Sequence, residues 1–392
     1  MDRDGTVHRK LFMHIFGQRF VITLVDAGCP SCPLFSKDSF MKKIFQWFYV
    51  APVIAVIFYL LAPVASSLLV NLMAIAVLIV GVLSAVHHAE VVAHKVGEPY
   101  GTIILALAVT LLEASIIVSL MLTGGVGAET YARDTLFAAV MLILNGILGI
   151  SMLVGALKFK EQVFETKSVT IALVGLVSIL VLALILPNFT TSIAGPTYSV
   201  PQLIAVGICC LVIYGSFIFT QTVRHRKYFL TEVTGEEKAV TRTEALISLG
   251  LLLVCLGVVV FLAKKLSPVI EAAVVEAGLP TALVGVSIAA VILLPEGIAA
   301  IRAANRNQYQ TSINLALGSA LASIGLSIPT VVVICTIMDL PLVLGVDKKS
   351  MILLGLSVFT VMLSLNKGRT NGLYAVVLLV NLIMYIFTIL FE

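Results

Sequence analysis

Apolar runs of about twenty residues follow one another along most of this chain, and each is long enough to cross a bilayer as a helix. The chain is 60% hydrophobic and only 12% charged over 392 residues, and its mean hydropathy is +1.11. Soluble domains of this length are far less apolar. The runs also lack the period-two alternation of a membrane β-barrel. The sequence therefore predicts an all-α polytopic membrane protein.

We expect about eleven transmembrane helices, in which one leading helix precedes two inverted five-helix repeats. The predicted spans are 45–62, 66–86, 101–123, 135–157, 168–187, 201–221, 245–263, 281–302, 312–338, 351–365 and 372–391. The second and seventh are expected to continue as helices beyond their apolar runs. The predicted domains are a polar cytoplasmic extension (1–44), the leading helix (45–62), the first repeat (66–221), a charged cytoplasmic loop (222–244) and the second repeat (245–392).

The N-terminal extension contains Cys29 and Cys32 in the sequence CPSC, which has the spacing of half a zinc site. No second pair follows in the sequence, so we expect a solvated loop and no metal. Met41 opens a basic and then apolar segment that is typical of a natural N-terminus, so one interpretation of the upstream residues is a start-site extension. The other four cysteines lie in apolar runs and predict no disulfide framework.

Lysine and arginine are distributed unevenly between the predicted loops, which indicates the orientation in the membrane. With a cytoplasmic N-terminus, the inside segments hold Lys95, Lys158, Lys160, Lys167, Arg224, Arg226, Lys227, Lys238, Arg242, Arg302, Arg306, Lys367 and Arg369. The outside segments then hold only Arg133, Lys264, Lys265, Lys348 and Lys349. This asymmetry predicts a cytoplasmic N-terminus and an external C-terminus.

Two glutamates, Glu113 and Glu296, each stand alone inside a long apolar run. A carboxylate within the bilayer is costly and usually marks the path of an ion or proton. When His88 is placed over Glu271, the two halves align so that Glu113 falls over Glu296. Transporters built from inverted repeats bind their substrates near the midplane, where the repeats meet. We therefore expect the two carboxylates to face each other there and to form one shared cation and proton site.

Oxygen atoms near the two acids could complete the coordination of a hard cation such as Ca²⁺ or Na⁺. Thr110 lies one helical turn before Glu113 on the same face. Pro295 has no N–H, so it frees the carbonyl of Val291, either as a ligand or as part of a packed kink. In the small-residue run GSALASIGLSIP, Ser319 is the hydroxyl expected near the ion, and helix packing is the expected role of most of the small residues.

Asn145 is a polar residue alone in the apolar run AAVMLILNGILGI of the first half. A buried amide needs hydrogen-bond partners. Two interpretations therefore remain open for Asn145: a contact that joins two helices, or an ion ligand.

The same two acids could also carry protons. Two carboxylates a few ångströms apart repel each other, so the empty pair should hold at least one proton near neutral pH. A cation that displaces this proton would produce exchange. Near the cytoplasmic end of the second span, His87, His88 and Glu90 form a polar cluster that is either a proton relay or a solvated helix end. Glu90 is the member expected on the intracellular ion path.

Taken together, these features resemble the calcium/cation antiporter superfamily, and within it the calcium–proton exchanger family, over about residues 66–391. LPTALVGVSIAAVILLPEGIAA is similar to the second alpha repeat of that family, with Glu296 at the motif glutamate. HHAEVVAHKVGEPYGTIILALAVTLLEASI is similar to the first, with Glu113 at that position and Glu90 at an upstream acid. LNGILG and ALGSALASIG resemble the small-residue spans, in which Ser319 occupies a motif serine.

The family's Gly-Asn motif pairs are replaced here by Val109-Thr110 and Ile292-Leu293, and a frequent glutamine is replaced by Ala322. These changes resemble a bacterial branch of sodium/potassium/calcium–proton antiporters. Because they remove amide ligands, they weaken the case for calcium and strengthen the case for monovalent ions. The resemblance implies an integral protein of the bacterial inner membrane that exchanges Ca²⁺, Na⁺ or K⁺ for protons by alternating access.

Two other transport classes use similar acids: a cation channel, and a sodium-coupled calcium exchanger without proton coupling. A membrane enzyme is disfavoured because the sequence has no GxGD pair, no HExxH and no Ser/His set. We therefore expect no enzymatic activity and no cofactor. The expected partners are membrane lipids, inorganic cations and protons, with no nucleic acid.

Overall fold

The computed structural model describes residues 37–61, 67–97, 100–122, 128–229, 240–280 and 282–391. Almost all of this part is helical. The helices are α1 (Lys37–Leu61), α2 (Leu68–Val96), α3 (Tyr100–Leu122), α4 (Ala128–Phe159), α5 (Thr166–Phe189), α6 (Val200–Arg224), α7 (Arg226–Phe229), α8 (Arg242–Glu276), α9 (Ala282–Ile292), α10 (Leu294–Asn305), α11 (Tyr309–Met338), α12 (Lys348–Leu365) and α13 (Gly372–Leu390). No β-strand occurs in these ranges, and the predicted all-α class is confirmed.

The chain divides into two compact units, Met1–Val50 and Ala51–Glu392. The first unit is described only where α1 begins, so the CPSC motif of the extension lies outside the described residues. The second unit holds the rest of α1 and every other helix. All contacts discussed below are within this second unit.

Eight helices in the described ranges are long and apolar enough to span a membrane, and the bent pair α9–α10 would be a ninth. Two shorter apolar segments, Trp47–Leu61 and Leu107–Leu122, fall at the first and third predicted spans. The predicted number of eleven is therefore not confirmed by length and composition. As expected, α2 and α8 continue well beyond their apolar runs.

The eighth predicted span, 281–302, is not one helix. It breaks at Leu293, and its two parts, α9 and α10, are bent by 54°. Pro295 stands in the first turn of α10, where its missing N–H costs no hydrogen bond within that helix. The sequence predicted a kink or a freed carbonyl here. The break makes Glu296 a first-turn residue of a short helix.

Helices of the two halves pack reciprocally. The first helix of each repeat contacts the other, α2 against α8. The Glu113 helix α3 packs on α11, and the Glu296 helix α10 packs on α4. Likewise α6 packs on α11 and α13 packs on α4. This exchange of partners is the contact pattern expected of two structurally equivalent halves.

The loops between helices also join the two halves to each other. The loop after α4 pairs with the loop before α13 through Phe164 N to Gly368 O at 3.0 Å and Thr370 N to Gln162 O at 2.9 Å. The connection after α11 pairs with the region between α5 and α6, where Gly345 N donates to Pro196 O at 3.0 Å. Each pairing joins one half to the other at one end of the bundle.

The helices α4 and α11 lie at the centre of the bundle. Their best membrane windows are 72% and 61% buried, whereas those of the remaining long helices are 44% buried or less. α4 also contains a π-helical segment, Leu142–Ile147, within its buried stretch. Because α4 and α11 are the partners of the two glutamate helices, each acid is held against the most protected part of the molecule.

Candidate functional site

Glu113 is buried and fully partnered. The packing of α3 on α11 leaves its side chain 2% exposed. The hydroxyl of Ser323 lies 2.6 and 2.5 Å from the two carboxyl oxygens, and the hydroxyl of Ser327 donates to Oε2 at 2.9 Å. Hydrogen bonds to a charged group contribute about 1.5–3 kcal/mol each, which offsets part of the cost of burying a carboxylate.

The two serines reach Glu113 because of their spacing. Ser319, Ser323 and Ser327 recur every four residues, so they share one face of α11. The sequence analysis chose Ser319 as the hydroxyl near the ion and did not single out Ser323 or Ser327, which are the two that contact Glu113. The four-residue spacing of hydroxyls was the available signal, but an apolar helix with many small residues hid it.

Glu296 has a different environment from Glu113. It stands in the first turn of α10, and its Oε2 atom is buried without a hydrogen-bond partner among the described residues. Its carboxyl group lies within Coulombic range of those of Glu113 and Glu90. A buried oxygen without a donor is costly unless water or a cation contacts it. Glu296 therefore has a buried carboxyl oxygen that no described residue satisfies, whereas both carboxyl oxygens of Glu113 lie within hydrogen-bond distance of a serine hydroxyl.

Glu296 borders a cavity of about 150 Å³, here named the Glu296 cavity, which lies between α3, α6, α10 and α11. Its lining consists of Val109, Thr110, Tyr214, Phe217, Ile218, Gln221, Glu296, Asn314, Leu315, Gly318, Ser319, Ala322 and Ser323. Thr110 and Ser319, both expected from the sequence, are in this set. The hydroxyl of Thr110 is buried and has no hydrogen-bond partner in the described part of the chain.

These side chains bring together the atoms that a hard cation needs. Glu296 supplies a free carboxyl oxygen, Thr110 a free hydroxyl, and Ser323 a hydroxyl that also contacts Glu113. The described residues contain no group of three or more His, Cys, Asp or Glu side chains placed to hold a metal. The acidic oxygen that lines the cavity therefore comes from Glu296, and Glu113 is connected to the lining through its hydrogen bond with Ser323.

Two polar cavity residues were missed by the sequence analysis. Gln221 ends the lining on α6, and Asn314 stands near the start of α11. Asn314 donates to the carbonyl of Phe229 at 2.9 Å and accepts from Gln310 at 3.0 Å. Both lie near helix ends, where a polar residue is ordinary, so nothing in the sequence distinguished them. They continue the polar lining toward the end of the bundle that the lysine and arginine distribution assigns to the cytoplasm.

Two other candidate ligands lie elsewhere. Asn145 is fully buried and donates to Ser357 of α12 at 2.9 Å and to the carbonyl of Met141 at 3.2 Å. It joins two helices and is not part of the cavity lining. The side chain of Val291 lines a separate apolar cavity between α2, α3, α8 and α9. The Oδ1 atom of Asn145 is buried without a partner among the described residues, so both interpretations of Asn145 stay open. The structure does not bring the Val291 side chain into the Glu296 cavity.

The polar cluster on α2 is only partly connected to the site. His88 is buried, His87 is half-buried, and their rings are 5.6 Å apart. Glu90 is exposed and lies within Coulombic range of Arg302 on α10 as well as of Glu296. None of the three residues lines the Glu296 cavity. Glu90 is consistent with an approach residue, and the proton relay through the histidines remains a prediction.

The reciprocal packing identifies one residue of α4 that lies beside Glu296. Gly207 of α6 packs on Pro329 of α11, and Leu378 of α13 packs on Gly149 of α4. Counting back two residues from Pro329 and from Gly149 pairs Ser327 with Ile147, which is the residue nearest to Gly297 beside Glu296. Where Ser327 donates to Glu113, an apolar side chain therefore stands in the other half.

The fold and the site define a helical membrane transporter that is assembled from two reciprocal halves, with one acid from each half. The chain belongs to the sodium/calcium exchanger protein family, which it matches over residues 66–223 and 247–391.

The chain is also similar to individual relatives and to solved structures. The chain is 43% identical over 314 residues to the putative ionic transporter y4hA of Sinorhizobium fredii, covering 79% of this chain and 86% of the relative. It is 32% identical over 327 residues to the sodium-potassium/proton antiporter ChaA of Escherichia coli, covering 82% and 88%. The solved structure of native YfkE superposes with a TM-score of 0.68 at 17% identity, covering 89% of this chain and 99% of that one, which supports the fold.

Proposed function

We propose that the protein is a secondary active antiporter that exchanges a cation for protons, with Glu113 and Glu296 as one shared site. The observation that carries this proposal is the free Oε2 atom of Glu296, which borders the same cavity as the free hydroxyl of Thr110 and the Glu113-bound hydroxyl of Ser323. A cation and a proton would compete for these oxygens. Exchange follows because the site holds only one of them at a time.

The polar lining of the Glu296 cavity extends to Gln221 and Asn314 at one end of the bundle. The lysine and arginine distribution assigns this end to the cytoplasm. We therefore propose an inward-facing arrangement in an inner membrane, with a cytoplasmic N-terminus and an external C-terminus. Movement of one half against the other would close this cavity and open the opposite one.

For the ion, we favour Na⁺ and K⁺ over Ca²⁺. Thr110 and Leu293 stand where amide ligands occur in the calcium–proton exchangers that the sequence resembles, so fewer strong ligands surround the ion. The name of the E. coli relative, a sodium-potassium/proton antiporter at 32% identity, supports this choice. Ca²⁺ remains the second candidate because two carboxylates suit a divalent ion.

The test is transport in everted vesicles, read as the collapse of an imposed pH gradient when Na⁺, K⁺ or Ca²⁺ is added. Glu113→Gln and Glu296→Gln should each reduce the signal to that of vesicles without the protein. Glutamine keeps the size and hydrogen-bonding capacity of glutamate but cannot ionise. Glu161→Gln is the matched control, because Glu161 is exposed and pairs only loosely with Arg369 at 3.6 Å.

The results also separate the other transport classes. A channel would conduct the cation without moving protons against a gradient. A sodium-coupled calcium exchanger would move Ca²⁺ against Na⁺ at constant pH. Normal proton movement in Glu296→Gln at normal protein level would reject the proposed site.

A further inference from the structure

The helix that carries Glu296, α10, is held at its far end by side chains of the other half. Its last residue, Asn305, lies about 14 Å from Glu296 along the helix axis, at a rise of about 1.5 Å per residue. The last four carbonyls of an α-helix have no partner within the helix. In α10 the last two of these, the carbonyls of Ala304 and Asn305, accept hydrogen bonds from residues of the first half.

Gln162 and Lys158 are the two donors. The amide nitrogen of Gln162 donates to the carbonyl of Ala304 at 2.9 Å and to Oδ1 of Asn307 at 3.0 Å. The ammonium group of Lys158 donates to the carbonyl of Asn305 at 2.9 Å and to Oδ1 of the same residue at 3.2 Å. These hydrogen bonds join the end of α4 to the end of α10.

The backbone after α4 places Gln162 for this contact. Lys160 follows the last residue of α4 with a positive φ of 65°, which ends the helix and turns the chain. Gln162 is then fixed by Thr370, which accepts from its N–H at 2.8 Å and donates to its carbonyl at 2.9 Å. The Gln162 side chain is 2% exposed, and its Oε1 atom occupies the space that a Cβ at Gly155 would fill.

The acceptor on the other side is fixed as well. Asn307 has a left-handed φ of 63°, a conformation that asparagine adopts more readily than most residues. Its N–H donates to the carbonyl of Ala304 at 3.1 Å, and the next N–H, of Gln308, donates to Ala303 at 2.9 Å. The turn after α10 therefore presents the Asn307 side chain to Gln162 in a defined position.

The packing of α10 on α4 does not by itself determine where α10 sits along α4. The buried residues of α10 are all small: Gly297, Ala300, Ala303 and Ala304. Small residues let two helices approach closely, but they interlock little, so one helix can shift along the other at small cost. The other end of α10 is the break at Leu293. The hydrogen bonds from Gln162 and Lys158 therefore set the position of α10.

A shift at the bonded end reaches Glu296. Gly297 lies beside Ile147 of α4, where an added Cβ would be 3.4 Å from the isoleucine side chain. Eight residues later on α4, Gly155 lies against Gln162, which is bonded to Ala304 of α10. Both contacts belong to one register of two parallel helices. Because α10 is short and continuous, a change at Ala304 moves the first turn by a similar distance.

From this geometry we propose that Gln162, assisted by Lys158, is a positioning residue for cation binding, which holds Glu296 at the Glu296 cavity through the end of α10. Neither residue lines that cavity, so their effect on the ion is transmitted by the helix. This inference rests on the proposed antiport function and concerns the same site.

The test compares the cation KM with the maximal rate in everted vesicles, where the cation is added on the side assigned to the cytoplasm. Gln162→Glu keeps the shape of the side chain but cannot donate when ionised, and it places a negative charge at the negative end of the α10 dipole. We expect the KM to rise roughly tenfold, the factor that corresponds to one or two net hydrogen bonds. The maximal rate at saturating cation should stay near that of the wild type. A merely structural role would lower the amount of folded protein and leave the KM unchanged.

Two further variants reach the same contact without changing Gln162. Gly155→Ala should displace the Gln162 amide and raise the KM in the same direction. Asn307→Gly keeps the left-handed φ and removes one acceptor, so its KM should rise less. Combined with Gln162→Glu, it should add less than its separate effect, since both changes remove one interaction.

Gln202→Glu is the matched control for the chemical change. Gln202 accepts from the N–H and the hydroxyl of Ser199, each at 2.9 Å, in the capping box of α6, and glutamate fills that role equally well. Its KM should equal that of the wild type. An unchanged KM in Gln162→Glu, or an equal rise in Gln202→Glu, would overturn the positioning role. If Gln162→Glu does not fold, Gly155→Ala and Asn307→Gly decide by the same criterion. Absence of exchange in the wild-type protein would instead reject the proposed function.

Discussion

Glu113 and Glu296 stand on helices that pack reciprocally between the two halves, yet their surroundings differ in chemistry. Glu113 is held by the hydroxyls of Ser323 and Ser327 on α11. At the position of α4 that corresponds to Ser327 stands Ile147, which can donate nothing to Glu296. The helices of the two halves therefore pack reciprocally but do not share one polar network.

This difference indicates two separate roles for the acids. A carboxylate that is already hydrogen-bonded and 2% exposed is fixed in direction, as Glu113 is. A carboxylate with a free buried oxygen beside a cavity, as Glu296 has, can rotate toward an arriving ion. We infer that the Glu113 carboxylate keeps a fixed orientation in the site and that the Glu296 carboxylate can reorient. Removing the donors from Glu113 and adding a donor beside Glu296 should therefore each slow transport.

The largest effect is expected when the hydroxyls that hold Glu113 are removed. The double variant Ser323→Ala/Ser327→Ala leaves Glu113 buried without its donors, at a cost of about 1.5–3 kcal/mol per lost bond. We expect the maximal transport rate to fall at least about tenfold, since 1.4 kcal/mol corresponds to a factor of ten. Cation-driven proton movement in proteoliposomes at saturating cation measures it.

Thr330→Ala is the control for the serine variant. Thr330 is on the same helix, but its hydroxyl donates to Leu326 O within the helix at 2.8 Å and contacts neither acid. It should transport at the wild-type rate. If the double serine variant folds and transports at the wild-type rate, Ser323 and Ser327 do not orient Glu113 for transport.

A smaller effect is expected when a hydroxyl is added to the other half. Ile147→Ser offers Glu296 the donor that Glu113 has, and Ile147→Ala removes a similar side-chain volume without adding one. A net hydrogen bond contributes about 1 kcal/mol, so the serine variant should transport about fivefold more slowly than the alanine variant. Both rates are measured at equal protein level in the same vesicles. Equal rates would mean that Ile147 does not face Glu296.

The helical membrane fold followed from the sequence because bilayer thickness sets the length of each apolar run. The sequence also predicted that α2 and α8 extend beyond their apolar runs. The number of spans was harder to predict, because two apolar helices are short and a third is broken near Pro295. A bend of 54° depends on what packs against both parts, which is a tertiary property.

For the site, the isolation of Glu113 and Glu296 in apolar runs was enough to select them, since a lone intramembrane acid is costly. Thr110 followed from helical spacing and Ser319 from its place in the small-residue run, and both lie in the cavity lining. Ser323 and Ser327 were not identified because their roles depend on which face of α11 meets α3. Asn145 could not be assigned either, because its amide nitrogen donates to Ser357 of another helix while its Oδ1 atom has no partner among the described residues.

The most direct test of the shared site is proton release on cation binding to the purified protein, measured with a pH indicator in weakly buffered solution. If the cation displaces a proton from the Glu113–Glu296 pair, adding Na⁺ or K⁺ should release protons from the wild-type protein and from Glu161→Gln. The release should be absent in both Glu113→Gln and Glu296→Gln. Undiminished proton release from either of these two variants would contradict a site in which both acids bind cation and proton in competition.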